Sequence, residues 1–131
     1  MTVLLDTSVV IALDRLAETA YDDESLAVSA VTVAELAYGV DVGMLSERDA
    51  RASRLCELVQ NVEVIAFGVE EAKLYGVLAT LVRAAGRNPR PRRMDLQIAA
   101  TAAAARLPLL TLNAADFRAT ERLVDVVDLS A

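Results

Sequence analysis

The stretch TVLLDTSVV, residues 2–10, decides the reading of this chain. TVLL is an apolar run of strand length, and it closes on an acid, Asp6. Thr7 and Ser8 follow, hydroxyl residues suited to the start of a helix, and SVVIALDRL (8–16) continues with helical spacing. A carboxylate at the edge of a buried strand is costly unless it is paired or holds a cation. The same juxtaposition of acid and apolar run recurs three times. The strand LAVSA (26–30) leads into the helix VTVAELAYGV (31–40), with Glu35 one turn inside. The Ala-rich helix MDLQIAATAAAARL (94–107) opens on Asp95. The strand LPLLTL (107–112) runs into NAADF, which carries Asn113 and Asp116.

Between these segments lie AETAYDDES, polar and irregular, and a third helix, ERDARASRLCELVQ, with Ser46 as its expected cap. VEVIAF (62–67) reads as a strand, and Gly68 opens a long amphipathic helix that ends at Gly86. Pro89 and Pro91 make 87–93 a loop. A turn and short helix follow Asn113, and VDVVDL (124–129) is a final strand. Strands alternating with helices predict an α/β fold, a mostly parallel sheet of about five strands with helices on both faces. Sites in such sheets form outside the carboxyl ends of the strands. Asp6 closes the first strand, and Asn113 and Asp116 follow the fourth. Glu35 lies one turn into the helix after the second, and Asp95 starts the helix after the Arg-rich loop, so three of the four acids come naturally to that edge.

Composition narrows the chemistry. The chain has 131 residues, the size of one domain (1–131), and 55% are hydrophobic. Aromatics are 4% and Trp is absent, so the core is aliphatic. There is no His, which excludes His-based acid–base catalysis, Ser-His-Asp and Cys-His systems, and His-ligated zinc. The single Cys, Cys56, lies in a helical pattern and is expected in the core. The N-terminus lacks a basic region and no apolar run reaches spanning length, so a cytoplasmic protein without a membrane segment is expected. Net charge is −6, yet residues 83–93 hold five Arg and no acid, leaving −11 for the rest. Arg87, Arg90, Arg92 and Arg93 form either a solvated loop or a phosphate-steering one.

Each acid also has a structural reading. Asp6 fits an N-cap. Thr32 and Glu35 fit a capping box. Asp95 complements the helix dipole, and Asn113 fits a cap for the turn carrying Asp116. Together these readings weaken, because no Lys or Arg at helical spacing is expected to pair each acid. Four carboxylates in one place repel, by about 4 kcal/mol per close pair at 4 Å and an effective dielectric near 20. Such a cluster suits a hard divalent cation held by oxygens, Mg²⁺ or Mn²⁺. Leu36, Tyr38, Leu74, Tyr75 and Leu78 are candidates for a docking surface, with core burial the competing fate.

LLDTSVVIAL, VSAVTVAEL, PRPRRMDLQIAATA and TLNAADF resemble, in order and spacing, the successive motifs of PIN-domain nucleases of the VapC toxin type. The resemblance runs from Val3 to Phe117. It implies a three-layer α/β/α PIN-like domain and Mg²⁺- or Mn²⁺-dependent hydrolysis of RNA phosphodiesters. The family's acids fall on Asp6, Glu35, Asp95 and Asp116, as catalytic residues and metal ligands. Thr7 or Ser8, with Thr111 and Asn113, fall on the supporting polar positions. Many relatives carry a further Asp near Asn113, and the amide here departs from that pattern. The resemblance also implies a homodimer held by a VapB-type antitoxin that plugs the site with a basic side chain. Three rivals stand beside it: a phospho-receiver module, which would want an acidic pair after the first strand and a Lys after the last; a catalytically inactive PIN-like binding module; and a DNA-specific nuclease.

Overall fold

The strand ending at Asp6 sits in the middle of the sheet. A computed structural model describes residues 1–13 and 24–130. β1 (Thr2–Leu5) is flanked by β2 (Ser25–Ser29) and β4 (Leu109–Thr111), with β3 (Glu63–Ile65) and β5 (Val126–Asp128) at the edges, in the order β3-β2-β1-β4-β5. All four ladders are parallel, with Leu4 opposite Ala27 on one side and Leu109 on the other. The chain first winds from β1 toward β3, then crosses back to lay β4 on the other side of β1. The order therefore reverses between β1 and β4, and ligands of open α/β sheets bind at such a switch point.

Side chains alternate across the sheet and sort the helices into two layers. Leu4, Ala27 and Leu109 face one way, onto α4 (Val69–Ala84) and α5 (Arg93–Ala105), with Leu78, Val82, Leu96, Ile98 and Phe117 in the same core. Val3, Leu5, Val28 and Leu110 face the other way, with Val9 and Val10 of α1 (Thr7–Ala12), Val33 of α2 (Ala30–Val42) and Leu58 of α3 (Arg48–Asn61). The small residues Ala99, Ala100 and Ala102 let α5 lie close against its neighbours, and all three are fully buried. This is the three-layer α/β/α arrangement expected from the alternation of elements.

Several local expectations shift. α2 begins at Ala30, with Ser29 as its N-cap: the Ser29 hydroxyl accepts from the Val31 amide. That displaces the capping box expected at Thr32 and Glu35. Ser46 lies in a 3-10 turn, Leu45–Glu47, and α3 starts at Arg48 without a side-chain cap. The basic loop contains a 3-10 turn at Arg90–Arg92, and Arg93 is already the first residue of α5. Cys56 is exposed, not in the core. The reason is that α3 is an outer helix with no fully buried residue, and only Arg51, Leu55 and Leu58 turn partly inward. The expectations for residues 14–23, the end of the first helix with Asp14 and most of the irregular stretch after it, lie outside the described residues. Among the described residues no helix is long and apolar enough to cross a membrane.

Candidate active site

The switch point gathers the acids. Asp6 leaves β1 at the N-cap position of α1, but its carboxylate makes no cap bond. It is 3% exposed. The Ser8 hydroxyl and the Thr111 hydroxyl each donate to Asp6 Oδ2 at 2.8 Å. Charge-assisted bonds of this kind offset the desolvation of a buried carboxylate. Among the described residues no donor reaches Oδ1, which leaves that oxygen as the acceptor for a ligand. The same hydroxyls tie down the backbone around them. The Leu112 amide donates to Ser8 Oγ, and the Asn113 amide to Thr111 Oγ1. The ends of β1 and β4 are thus stitched together through the Asp6 carboxylate.

Glu35 reaches the site from α2. Thr7 donates to Glu35 Oε1 at 2.8 Å, and its hydroxyl also pairs with Thr32 at 3.0 Å. Thr7 and Ser8, adjacent in sequence, therefore serve different carboxylates. Thr32 is buried and belongs to the supporting set, a role hidden in the sequence by its fit to a capping box. Asn113 contributes through its backbone: its carbonyl accepts from the Asp116 amide, while its side chain makes no cap bond.

Asp95 and Asp116 approach from the other side, Asp95 in the first turn of α5 and Asp116 in the 3-10 turn Ala114–Thr120 after β4. The Asp95 carboxyl is pushed up to about 6 from 3.8. Burial is the largest cause, followed by the negative charges of Asp6, Asp116 and Glu35, with Arg92 pulling the other way. Asp6, Glu35 and Asp116 are therefore all close enough to act on Asp95.

They converge without closing. Among the described residues no three acids stand in a ready-made cation-binding group. Arg92 lies between two of them, with Nη1 at 2.8 Å from Asp116 Oδ1 and 3.8 Å from Asp95 Oδ2. This corrects the expectation that no basic residue at helical spacing pairs these acids. Arg92 stands three residues before Asp95, a spacing that brings side chains together on a helix. The donor set is entirely oxygen, with a surplus of negative charge that one guanidinium only partly offsets. It fits a hard divalent cation and excludes a soft one.

The remaining arginines of the basic run do not face the acids. Arg87, Arg90 and Arg93 line a separate hollow of about 530 Å³ together with Arg83 and Tyr75. A second, larger hollow of about 770 Å³ runs between α1, α2 and α3. Ile11, Leu36, Leu55 and Leu58 line it, and Thr7 and Glu35 stand at its wall. Of the candidate surface residues, Leu78 is fully buried, Leu74 and Tyr75 pack against the core, Leu36 lines this groove, and Tyr38 is 69% exposed.

A parallel sheet in this order, with four acids at its switch point, defines a carboxylate-centred α/β domain, and residues 3–123 match the PIN domain family. The chain belongs to the PIN-domain family, and its relatives are of the VapC type. It is 35% identical over 127 residues to Ribonuclease VapC5 of Mycobacterium tuberculosis, covering 94% of this chain and 90% of that one. It is 30% identical over 127 residues to Ribonuclease VapC of Rickettsia bellii, covering 90% of each. The crystal structure of VapBC-5 from Mycobacterium tuberculosis, a member of the VapBC family of toxin–antitoxin systems, superposes with a TM-score of 0.79 at 32% identity, covering 97% of this chain and 96% of that one.

Proposed function

We propose that this chain is an endoribonuclease that depends on Mg²⁺ or Mn²⁺, the toxin of a toxin–antitoxin pair. The observation that carries this reading is the convergence of Asp6, Glu35 and Asp116 on Asp95 at the switch point, where burial first and their negative charges second push the Asp95 carboxyl up to about 6. The names of the relatives supply the substrate: they are ribonucleases. Asp6, Asp95 and Asp116 would hold the cation, with Glu35 holding a second ion or acting on the attacking water. When bound, the cation polarises the phosphate and stabilises the leaving oxygen.

The chain's own residues do the positioning. Ser8 and Thr111 fix the Asp6 carboxylate through Oδ2, with no donor on Oδ1 among the described residues. Thr7 holds Glu35 in place. Arg92 balances part of the negative charge, and at 46% exposure its pair with Asp116 is worth at most about 1 kcal/mol. So weak a pair would yield to a divalent cation held by Asp95 and Asp116, and Arg92 would then be free to meet an RNA phosphate. Arg87, Arg90 and Arg93 add positive charge beside the path of the backbone. With no His in the chain, no side chain ordinarily titrates near neutrality. Asp95 is raised toward it, to about 6, so general acid–base work falls on carboxylates and water.

Partners follow from the surfaces. The structure of the relative is a toxin–antitoxin complex. The apolar groove beside Thr7 and Glu35 suits an amphipathic antitoxin helix. A basic side chain at its end would complement the acids. The working unit is a homodimer bound by such an antitoxin.

The decisive experiment is incubation of purified protein with a total-RNA pool and Mg²⁺ or Mn²⁺, beside Asp95→Asn and an EDTA control. Discrete fragments from wild type alone support the reading. Cleavage that survives EDTA overturns the cation dependence. The Arg92–Asp116 pair favours a second reading, a catalytically inactive PIN-like binding module in which the guanidinium permanently fills the cation's place. A wild type that neither cleaves RNA nor binds the cation, with cation binding appearing in Arg92→Gln, would select it.

A further inference from the structure

The basic run 83–93 does not act as one patch. Arg92 faces the acids, whereas Arg83, Arg87, Arg90 and Arg93 surround a hollow of about 530 Å³ on the other side of the α5 N-terminus, beside Tyr75. No acid lines this hollow. Among the described residues no carboxylate pairs with these four, nor with Arg54, Arg106, Arg118 or Arg122, but only these four surround a common hollow. Four like charges around one cavity repel, and they gain nothing from the fold in return.

The backbone nevertheless fixes them there. Gly86 takes φ of 81°, and the Gly86 and Arg87 amides donate back to the Arg83 and Val82 carbonyls. That double bond pattern ends α4 sharply and sets Arg83 and Arg87 on either side of the turn. Asn88 Oδ1 accepts from the Arg90 amide, and Pro89 and Pro91 stiffen the rest. A surface that holds unpartnered cations in a rigid frame is organised in advance for an anion.

We infer that this hollow is a second RNA subsite, which takes a phosphodiester and a base of single-stranded RNA some distance along the strand from the bond that is cut. This rests on the ribonuclease reading above. Its volume suits a nucleotide-sized group. Guanidinium groups pair phosphate bidentately and stack on bases, and the half-buried Tyr75 ring offers an aromatic face of the kind on which unpaired bases stack. Arg92 and Arg93 are consecutive and do not share a helix face, so the acids and the hollow lie on different faces of the α5 N-terminus. A helix with its side chains is about 10–12 Å across. Only an oligonucleotide can fill both places at once, and a dinucleotide at the acids leaves the hollow unused.

The test uses the full chain carrying Asp95→Asn, in EDTA, with a labelled single-stranded oligoribonucleotide. On that background Arg83→Gln with Arg87→Gln is compared with a charge-matched control, Arg48→Gln with Arg122→Gln. All four positions are exposed, so the fold is kept. The expected result is several-fold weaker oligonucleotide binding and a log–log salt slope smaller by about 1.4, at about 0.7 per lost contact. The control pair stays near wild type, and dinucleotide binding is unchanged. With Asp95 restored, Arg83→Gln with Arg87→Gln raises KM on oligonucleotides and leaves kcat alone. An unchanged slope and affinity overturns the inference while leaving the ribonuclease reading intact. A changed sedimentation mass with an unchanged slope overturns it in favour of a protein interface. RNA neither bound nor cut by the parent chain overturns both readings together.

Discussion

The two sides of the acid centre are built differently. On the strand side, Asp6 is buried and receives hydroxyl donors from Ser8 and Thr111, which are themselves bonded to the backbone after β4. On the helix side, Asp95 and Asp116 are about 30% exposed, and their partner is the mobile-chained Arg92. The first arrangement is a set of directional hydrogen bonds inside the fold. The second is charge against charge across a solvent boundary. The difference teaches that one side sets where a ligand sits and the other sets how much charge it meets.

The largest effect is expected on the strand side. Asp6→Asn should bring RNA cleavage below detection while circular dichroism stays native, because the one acid fixed by the sheet loses its charge. Retained cleavage would break the comparison. Thr111→Val should come next. It removes a donor to a buried carboxylate and the acceptor for the Asn113 amide, for a loss of about 1–3 kcal/mol in urea unfolding. Cation affinity, followed by calorimetry, should fall about 10–100-fold.

The pH response belongs to the helix side. The folded Asp95 carboxyl titrates near 6 against 3.8 in its ordinary state. The folded protein therefore binds a proton between those values that the unfolded chain does not, and stability falls as pH rises through that window. In EDTA, Tm should drop by a few degrees from pH 5 to 7, and Asp95→Asn should flatten that segment. A rise in Tm over the same range would reverse the assignment. Smallest of all is Arg92→Gln, worth below about 1 kcal/mol in stability. Its signature is electrostatic: the Asp95 carboxyl moves further up in an NMR titration. If Arg92→Gln destabilised the chain as much as Thr111→Val, the two sides would not differ in kind.

Much of this was readable from the chain. The run TVLLD ending in an acid fixed β1 and Asp6, and alternation of strands with helices fixed a parallel sheet. The four acids were legible because each interrupts an apolar run. Their partners were less so. Thr111 lies 105 positions from Asp6, and only the β1–β4 pairing brings them together. Ser29 was passed over as a cap because Thr32 and Glu35 offered a competing local pattern, which tertiary bonds to Thr7 then overrode. Arg92 was grouped with its basic neighbours, although its spacing to Asp95 was the signal that set it apart. Cys56 was placed in the core because helical periodicity marks an inward face without saying how deeply the helix sinks.

The Thr111–Asp6 bond has a consequence for the birth of the molecule. The first strand leaves the ribosome early, but its acid has only the neighbouring Ser8 hydroxyl until β4 brings Thr111. At about 5–20 residues per second, roughly 5–20 s separate the two. A nascent chain in that interval carries Asp6 without the frame that aims it, so the protein is synthesised harmless and armed only near the end of its own translation.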